Sequence, residues 1–227
     1  MVAQNKFITD ASLNHMLKAL SAFSRESIIL IAATLLIILE CYFLLSPDPQ
    51  LHVLSVWVYL LIIPVGILFL LGEPIGKYGF AKPVWPFSMR WTIAILALLV
   101  LYPAITSPLS QFREYYHHNT SMGLDILGLR ILLAALYYLP EEFFFRGFLL
   151  FGLRGRVGDQ MANCIQAVIF ALFHIGKPPL EVLISLPIGY LFGHVTLQTR
   201  SFLPSFFMHW VIGILGVSLP VLFAIWL

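Results

Sequence analysis

The stretch Tyr137-Tyr138-Leu139-Pro140-Glu141-Glu142-Phe143-Phe144-Phe145-Arg146-Gly147 sets two adjacent carboxylates and a guanidinium inside an otherwise apolar segment. A charge at bilayer depth costs about 2.5–3.5 kcal/mol or more, so Glu141, Glu142 and Arg146 must face inward and find partners. On a helix Glu142 and Arg146 are i,i+4 neighbours and can neutralise each other. Glu141 points about 100° away and stays free to act elsewhere. Pro140 brings no N–H, which releases the carbonyl of Leu136 and opens the helix locally, as is tolerated where backbone lines a wet cavity.

Two histidines are candidate partners. His174 closes the apolar run Phe170-Ala171-Leu172-Phe173-His174, and His209 sits in Phe206-Phe207-Met208-His209-Trp210. A carboxylate paired with an imidazole can take a proton from water and return it to a leaving amine. A second imidazole can donate to a developing oxyanion. Together they suffice for peptide-bond hydrolysis without a covalent intermediate. The bland reading is that each buried histidine is structural and that Glu142–Arg146 is a packing ion pair. Against it stands co-occurrence, because the first three apolar segments carry only Glu40 and His52 as comparable groups. His194 follows Gly193 in a small-xxx-small pattern with Gly189 and is the weaker candidate. Gly-x-Ser-x-Gly and His-Glu-x-x-His are absent, as are the paired aspartates of intramembrane aspartyl proteases. Two histidines and a carboxylate are also a zinc set, although a metal-free site is the favoured expectation and no cofactor is assigned.

The elements that must position these groups are membrane helices. The chain has 227 residues, 60% of them hydrophobic and 11% charged, with mean hydropathy +0.92. A soluble domain carries about 25% charged residues. The pattern predicts an all-α, polytopic transmembrane bundle of seven to eight helices. Spans are predicted at 27–46, 51–71, 91–106, 124–151, 161–175, 180–197 and 202–217. A half-span at 219–227 either forms an eighth helix or continues the seventh past Pro220. Residues 1–26 read as an amphipathic or flexible segment before a bundle over 27–227, and not as a cleaved signal peptide. The segments 107–123, with His117 and His118, and 152–159 read as loops.

Trp85 and Trp91 read as interfacial anchors. Alternating sides gather Lys6, Lys18, Arg25, Lys77, Lys82, Arg90, Arg154, Arg156 and Arg200 on one face, against Arg113 and Lys177 on the other. That bias predicts a cytoplasmic N-terminus. A net charge of +2 with no basic run points away from nucleic acid. Cys41 and Cys164 give no disulfide framework and read as buried thiols.

These residues resemble the CPBP family of CAAX proteases and bacteriocin-processing membrane proteins. Glu141-Glu142-x-x-x-Arg146 is similar to the family's first motif, and Phe170-x-x-x-His174 to its second. Gly189, Gly193, Thr199 and Ser201 are similar to its glycine-spaced stretch. The last motif, His-x-x-x-Asn, is met only by His209, because residue 213 is glycine. The resemblance covers about 124–215. It implies an intramembrane endopeptidase of glutamate type, acting on a peptide bond near the C-terminal end of a lipid-anchored or sorted substrate.

Under that resemblance Glu141 and His174 activate the water, His209 forms the oxyanion site, and Glu142 and Arg146 hold the first motif in place. The expected setting is a bacterial inner membrane, with the bilayer and a protein or peptide substrate as partners. Gly213 leaves the second oxyanion donor open: a backbone group, a water or His194 takes the role, or the chain is slow or belongs to a branch with another last motif. Asn163 lies eleven residues before His174, about 16 Å along a helix, and does not obviously replace it. The alternative is a non-catalytic scaffold or bacteriocin immunity protein of the same fold. A proton-coupled transporter is a third reading, disfavoured by the lack of an internal repeat.

Overall fold

The computed structural model describes residues 24–45, 51–87, 89–118 and 127–226, with only the helical backbone at 117, 118, 127 and 221–226. The segment expected over 1–26 lies outside these residues except for its last three. Eight helices follow: α1 Arg25–Tyr42, α2 His52–Leu70, α3 Met89–Thr106, α4 Ser110–His118, α5 over 127–157, α6 Asp159–Phe173, α7 Pro179–Thr199 and α8 Leu203–Trp226. No β-strand forms among the described residues. The chain is an all-α bundle, as expected.

Four of these helices, α2, α3, α7 and the Leu203–Pro220 part of α8, are long and apolar enough to cross a membrane. The other expected spans miss that measure for physical reasons. Helix α1 carries Arg25, Glu26 and Glu40, α5 carries Arg130, Glu141, Glu142 and Arg146, and α6 is only 15 residues long.

Three expectations are corrected. The segment read as a loop at 107–123 contains helix α4, whose Phe112 is buried and whose Tyr116 hydroxyl donates to Glu181 Oε2 at 2.7 Å. Its polar composition concealed a helix that lies on the bundle. The segment read as a loop at 152–159 is helical to Val157, and the break falls only at Gly158, where φ is +80°. Cys41 and Cys164 are exposed rather than buried. Their helices turn them outward, where lipid, unlike water, does not penalise an apolar group. The half-span question also closes: α8 runs on as one helix through Pro220.

Helix α5 is the axis of the bundle. It is α-helical over Leu127–Glu142, then widens into a π-helix over Phe143–Phe151, all nine residues of which are buried. Wide turns of this kind arise where the i→i−4 ladder is interrupted, and they concentrate at functional sites. The interruption here is Pro140. The carbonyl of Leu136 that it releases accepts a hydrogen bond from the Trp57 indole of α2 at 2.8 Å. The Phe143, Phe144, Phe145 and Phe148 rings fill the core with Ile29 and Ala33 of α1, Leu60 of α2 and Phe170 of α6. A second, smaller core joins Ile95 and Leu99 of α3, Phe192 and Val195 of α7, and Met208 and Ile212 of α8. The catalytic candidates lie between the two.

Several helix ends that alternating spans would put on one side meet in the structure. Arg25 Nη1 donates to Glu73 Oε1 at 2.9 Å and Arg156 Nη1 to Ser24 Oγ at 2.7 Å. Ser201 Oγ donates to the Gly79 carbonyl at 3.0 Å. These contacts bring the start of α1, the end of α2, the end of α5 and the α7–α8 turn to one end of the bundle. Gly147 lets the turn after α2 lie on the π-helix, because a Cβ there would stand 2.6 Å from the Phe143 ring and 2.8 Å from the Tyr78 carbonyl oxygen. Gly147→Ala is therefore expected to destabilise the protein by about 1–3 kcal/mol, since a backbone oxygen cannot yield as a side chain can. Thermal unfolding in detergent checks it, and an unchanged midpoint would refute the packing argument.

Candidate active site

The two adjacent glutamates have different partners. Glu142 Oε1 lies 3.1 Å from Arg146 Nη1 and 2.7 Å from His209 Nδ1, with all three side chains buried. The Arg146 guanidinium sits over the Phe170 ring at 4.1 Å from its centroid and beside Phe192 at 5.4 Å. Aromatic faces and one carboxylate thus replace the water that a cation in the bundle interior has lost. Glu141, also buried, lies 3.9 Å from His209 Nδ1 and forms no hydrogen bond with the described residues. Glu142 thus takes the ion pair to Arg146, and Glu141 has only the longer contact to His209. Glu142 does more than expected, because it orients His209 as well as balancing Arg146.

Hydrogen bonding fixes the histidine orientations. His174 Nδ1 is 2.9 Å from the Phe170 carbonyl oxygen, which can only accept, so Nδ1 carries the proton and Nε2 offers a lone pair. His209 Nδ1 donates to the Glu142 carboxylate, which leaves its Nε2 for other chemistry. The two rings are 6.4 Å apart with planes 24° from parallel. One ligating atom from each of Glu141, His174 and His209 falls within 4.8 Å of the others. Helices α5, α6 and α8 supply the three. Two imidazoles and one carboxylate are by type a donor set that can hold a zinc ion.

A cavity of about 50 Å³ opens beside these groups, lined by His174, His209, Tyr138, Gly213, Lys177 and Glu181 among others. It has room for a few waters. In its lining Lys177 Nζ lies 3.1 Å from Glu181 Oε1. Burial works to lower the Lys177 pKa, but Glu181, with Tyr138 and Glu141, outweighs it and raises the value overall. The ammonium therefore stays charged at neutral pH. Sequence reasoning did not connect Lys177, Glu181 and Tyr116 with the site. Nor did it single out Tyr138, although its place one turn before Glu141 and Glu142 was a usable signal.

The remaining candidates fall elsewhere. His194 packs beside Phe87, with ring centroids 6.3 Å apart, and does not line the cavity. Asn163 Nδ2 donates to the Tyr190 carbonyl at 3.0 Å and its Oδ1 accepts from Gln166, so it serves the α6–α7 contact. Gly193 makes that contact feasible, because a Cβ there would overlap the Asn163 side chain. Glu40 and His52 pair with each other at 2.6 Å between α1 and α2. The side chains of His117 and His118 lie outside the described residues.

Residues 121–215 match the Type II CAAX prenyl endopeptidase Rce1-like family. No curated protein and no solved structure matches the chain. The 121–215 domain belongs to that family, which is the CPBP family, and every group described above as part of the buried cluster falls inside it. The apolar helices make the chain an integral membrane protein, and its 121–215 domain is of an intramembrane endopeptidase family, which implies a protein or peptide substrate in the membrane.

The unequal partnering of the glutamates has a consequence for stability. Glu142→Gln leaves the buried Arg146 without a counter-charge and is expected to cost about 3–5 kcal/mol. Glu141→Gln removes no ion pair to Arg146 and is expected to change stability by no more than about 1 kcal/mol. Thermal unfolding of the two variants side by side tests this, and equal losses would refute it.

Proposed function

We propose that the protein is a glutamate-type intramembrane endopeptidase that cuts near the C-terminal end of a membrane-associated or lipid-anchored peptide. The observation that carries this reading is the convergence of Glu141, His174 and His209, from three helices, beside a cavity of water size. In the proposed step Glu141 takes a proton from a water whose other hydrogen is held by His174 Nε2. The water oxygen bonds to the scissile carbonyl carbon, and the π pair moves onto the carbonyl oxygen. His209, held by Glu142, donates from Nε2–H to that oxygen in its imidazolium form. The C–N bond then breaks, and Glu141 returns the proton to the amine. A bacterial inner membrane, with the cation-rich end in the cytoplasm, is the proposed setting.

A second reading is supported by the anchoring of both histidines through Nδ1, the arrangement metal-ligating imidazoles usually have. Glu141, His174 and His209 would then hold a zinc ion, which would supply Lewis acidity and an ionised water. A third, the non-catalytic scaffold or immunity protein, is favoured by glycine at 213.

One experiment separates them. Wild type, Glu141→Ala and His174→Ala, at matched levels in proteoliposomes, are given a quenched-fluorescent peptide ending in farnesyl-cysteine and three residues, the same peptide without lipid, and a longer C-terminal sorting tail. Wild type is expected to cleave at least one, and each variant to lose about 100- to 10,000-fold in rate. Insensitivity to chelators, with no bound metal by mass spectrometry, supports the glutamate mechanism. Stoichiometric zinc that disappears in His174→Ala moves the assignment to the metal mechanism. Cleavage of none of the three by wild type sinks the enzyme reading and leaves the scaffold.

A further inference from the structure

Position 213 lacks a side chain because another residue occupies the space. A Cβ built on Gly213 would overlap the ring and the hydroxyl oxygen of Tyr138. Tyr138 lies one turn before Glu141 and Glu142 on α5, and Gly213 lies one turn after His209 on α8. The phenol bridges the gap between the two motifs. Its ring packs on the His209 imidazole with centroids 4.3 Å apart and planes at 36°. Tyr138, His209, His174 and Gly213 line the same cavity. The Tyr138 hydroxyl makes no hydrogen bond with any described residue. Tyr138 is half-buried and lines the cavity, so its hydroxyl is a donor on the cavity wall, beside the imidazole already assigned to the oxyanion.

We infer that Tyr138 is a further catalytic residue, donating its phenolic hydrogen to the carbonyl oxygen as negative charge develops there. The inference rests on the endopeptidase reading above. Tyrosine is among the side chains able to form such a site. The step needs no additional reactant. As the water oxygen bonds to the carbonyl carbon, the π pair moves to oxygen, and the phenol shares its hydrogen with that oxygen without losing it. When the C–N bond breaks the pair returns, the amine leaves with the proton held by Glu141, and the phenol is unchanged. The donor that an asparagine at 213 would bring from α8 comes instead from α5, and the two cannot coexist in the space available.

The test uses the full-length protein in proteoliposomes with whichever of the three peptides wild type cleaves. Tyr138→Phe keeps the ring against His209 and Gly213 and removes only the hydroxyl. It is expected to lower kcat by about 100- to 1,000-fold with little change in KM, the pattern of an interaction made only in the transition state. Its unfolding midpoint should stay at the wild-type value. Tyr138→Ala vacates the space, and adding Gly213→Asn to it places an amide there. The double variant is expected to exceed Tyr138→Ala by about tenfold or more in kcat, which a purely structural role for the phenol would not produce. Wild-type kcat in Tyr138→Phe, or no gain in the double variant, overturns the assignment. If Glu141→Gln is inactive while Tyr138→Phe is fully active, the endopeptidase reading stands and the Tyr138 role falls. If wild type cleaves none of the peptides, both fall.

Discussion

The structure depends on keeping one cation and two carboxylates inside an apolar bundle. Glu142 is the hinge of that arrangement, because a single oxygen serves Arg146 at 3.1 Å and His209 at 2.7 Å. Removing one partner of a buried pair is far costlier than never having built the pair, since a lone charge remains. The three residues are therefore bound to one another whatever else the protein does. This is also what frees Glu141. With its neighbour balancing the guanidinium, Glu141 can remain without a hydrogen-bond partner among the described residues and stand beside His174 and His209, the two histidines that line the cavity. The two adjacent glutamates thus differ in their ties: Glu142 holds the guanidinium and an imidazole, and Glu141 has only the 3.9 Å contact to His209.

Helix α5 turns that electrostatic requirement into a position. Pro140 interrupts the ladder immediately before the glutamates, and the helix widens immediately after them. The cost of the interruption is met from a distance, by the Trp57 indole on the Leu136 carbonyl. The same proline that exposes a carbonyl thus ties α5 to α2. Beyond the glutamates a run of phenylalanines fills the core, and Phe170 both stacks on Arg146 and holds His174 through its carbonyl. One residue of α6 therefore orients the guanidinium with its ring and the candidate base with its backbone. The precision of the cluster comes from such shared supports on helices rather than from loops.

How much of this was legible in the sequence depended on whether the signal was local. The charges in apolar surroundings, the i,i+4 spacing of Glu142 and Arg146, and the carbonyl released by Pro140 are properties of a few neighbouring residues, and each was readable. Partners were not: Trp57 is 79 residues from Leu136, and Glu142 is 67 from His209. The cysteines were misread because an apolar residue in a membrane helix need not be buried, lipid being as good a solvent for it as the core. The segment at 110–118 was misread for the converse reason. Its polar residues signalled solvent, yet Phe112 is buried and Tyr116 joins the polar end of the cavity. Hydropathy reports the average environment of a segment, and a short helix lying on a polar cavity has no distinctive average.

Gly213 carries the same lesson to the level of single residues. Read along α8, glycine four places after His209 is the loss of a side chain, and the natural inference is a weakened site. Read across the bundle, it is the condition for Tyr138 to stand against His209. The two positions share one volume, so neither can be interpreted without the other. A bulkier residue at 213 would push the phenol off the imidazole, and a smaller residue at 138 would leave a gap beside it that glycine could not fill. Such coupling is expected wherever contacting side chains divide a fixed space. A motif position can thus be empty because a side chain from another helix already fills its space, and position along one helix cannot reveal that.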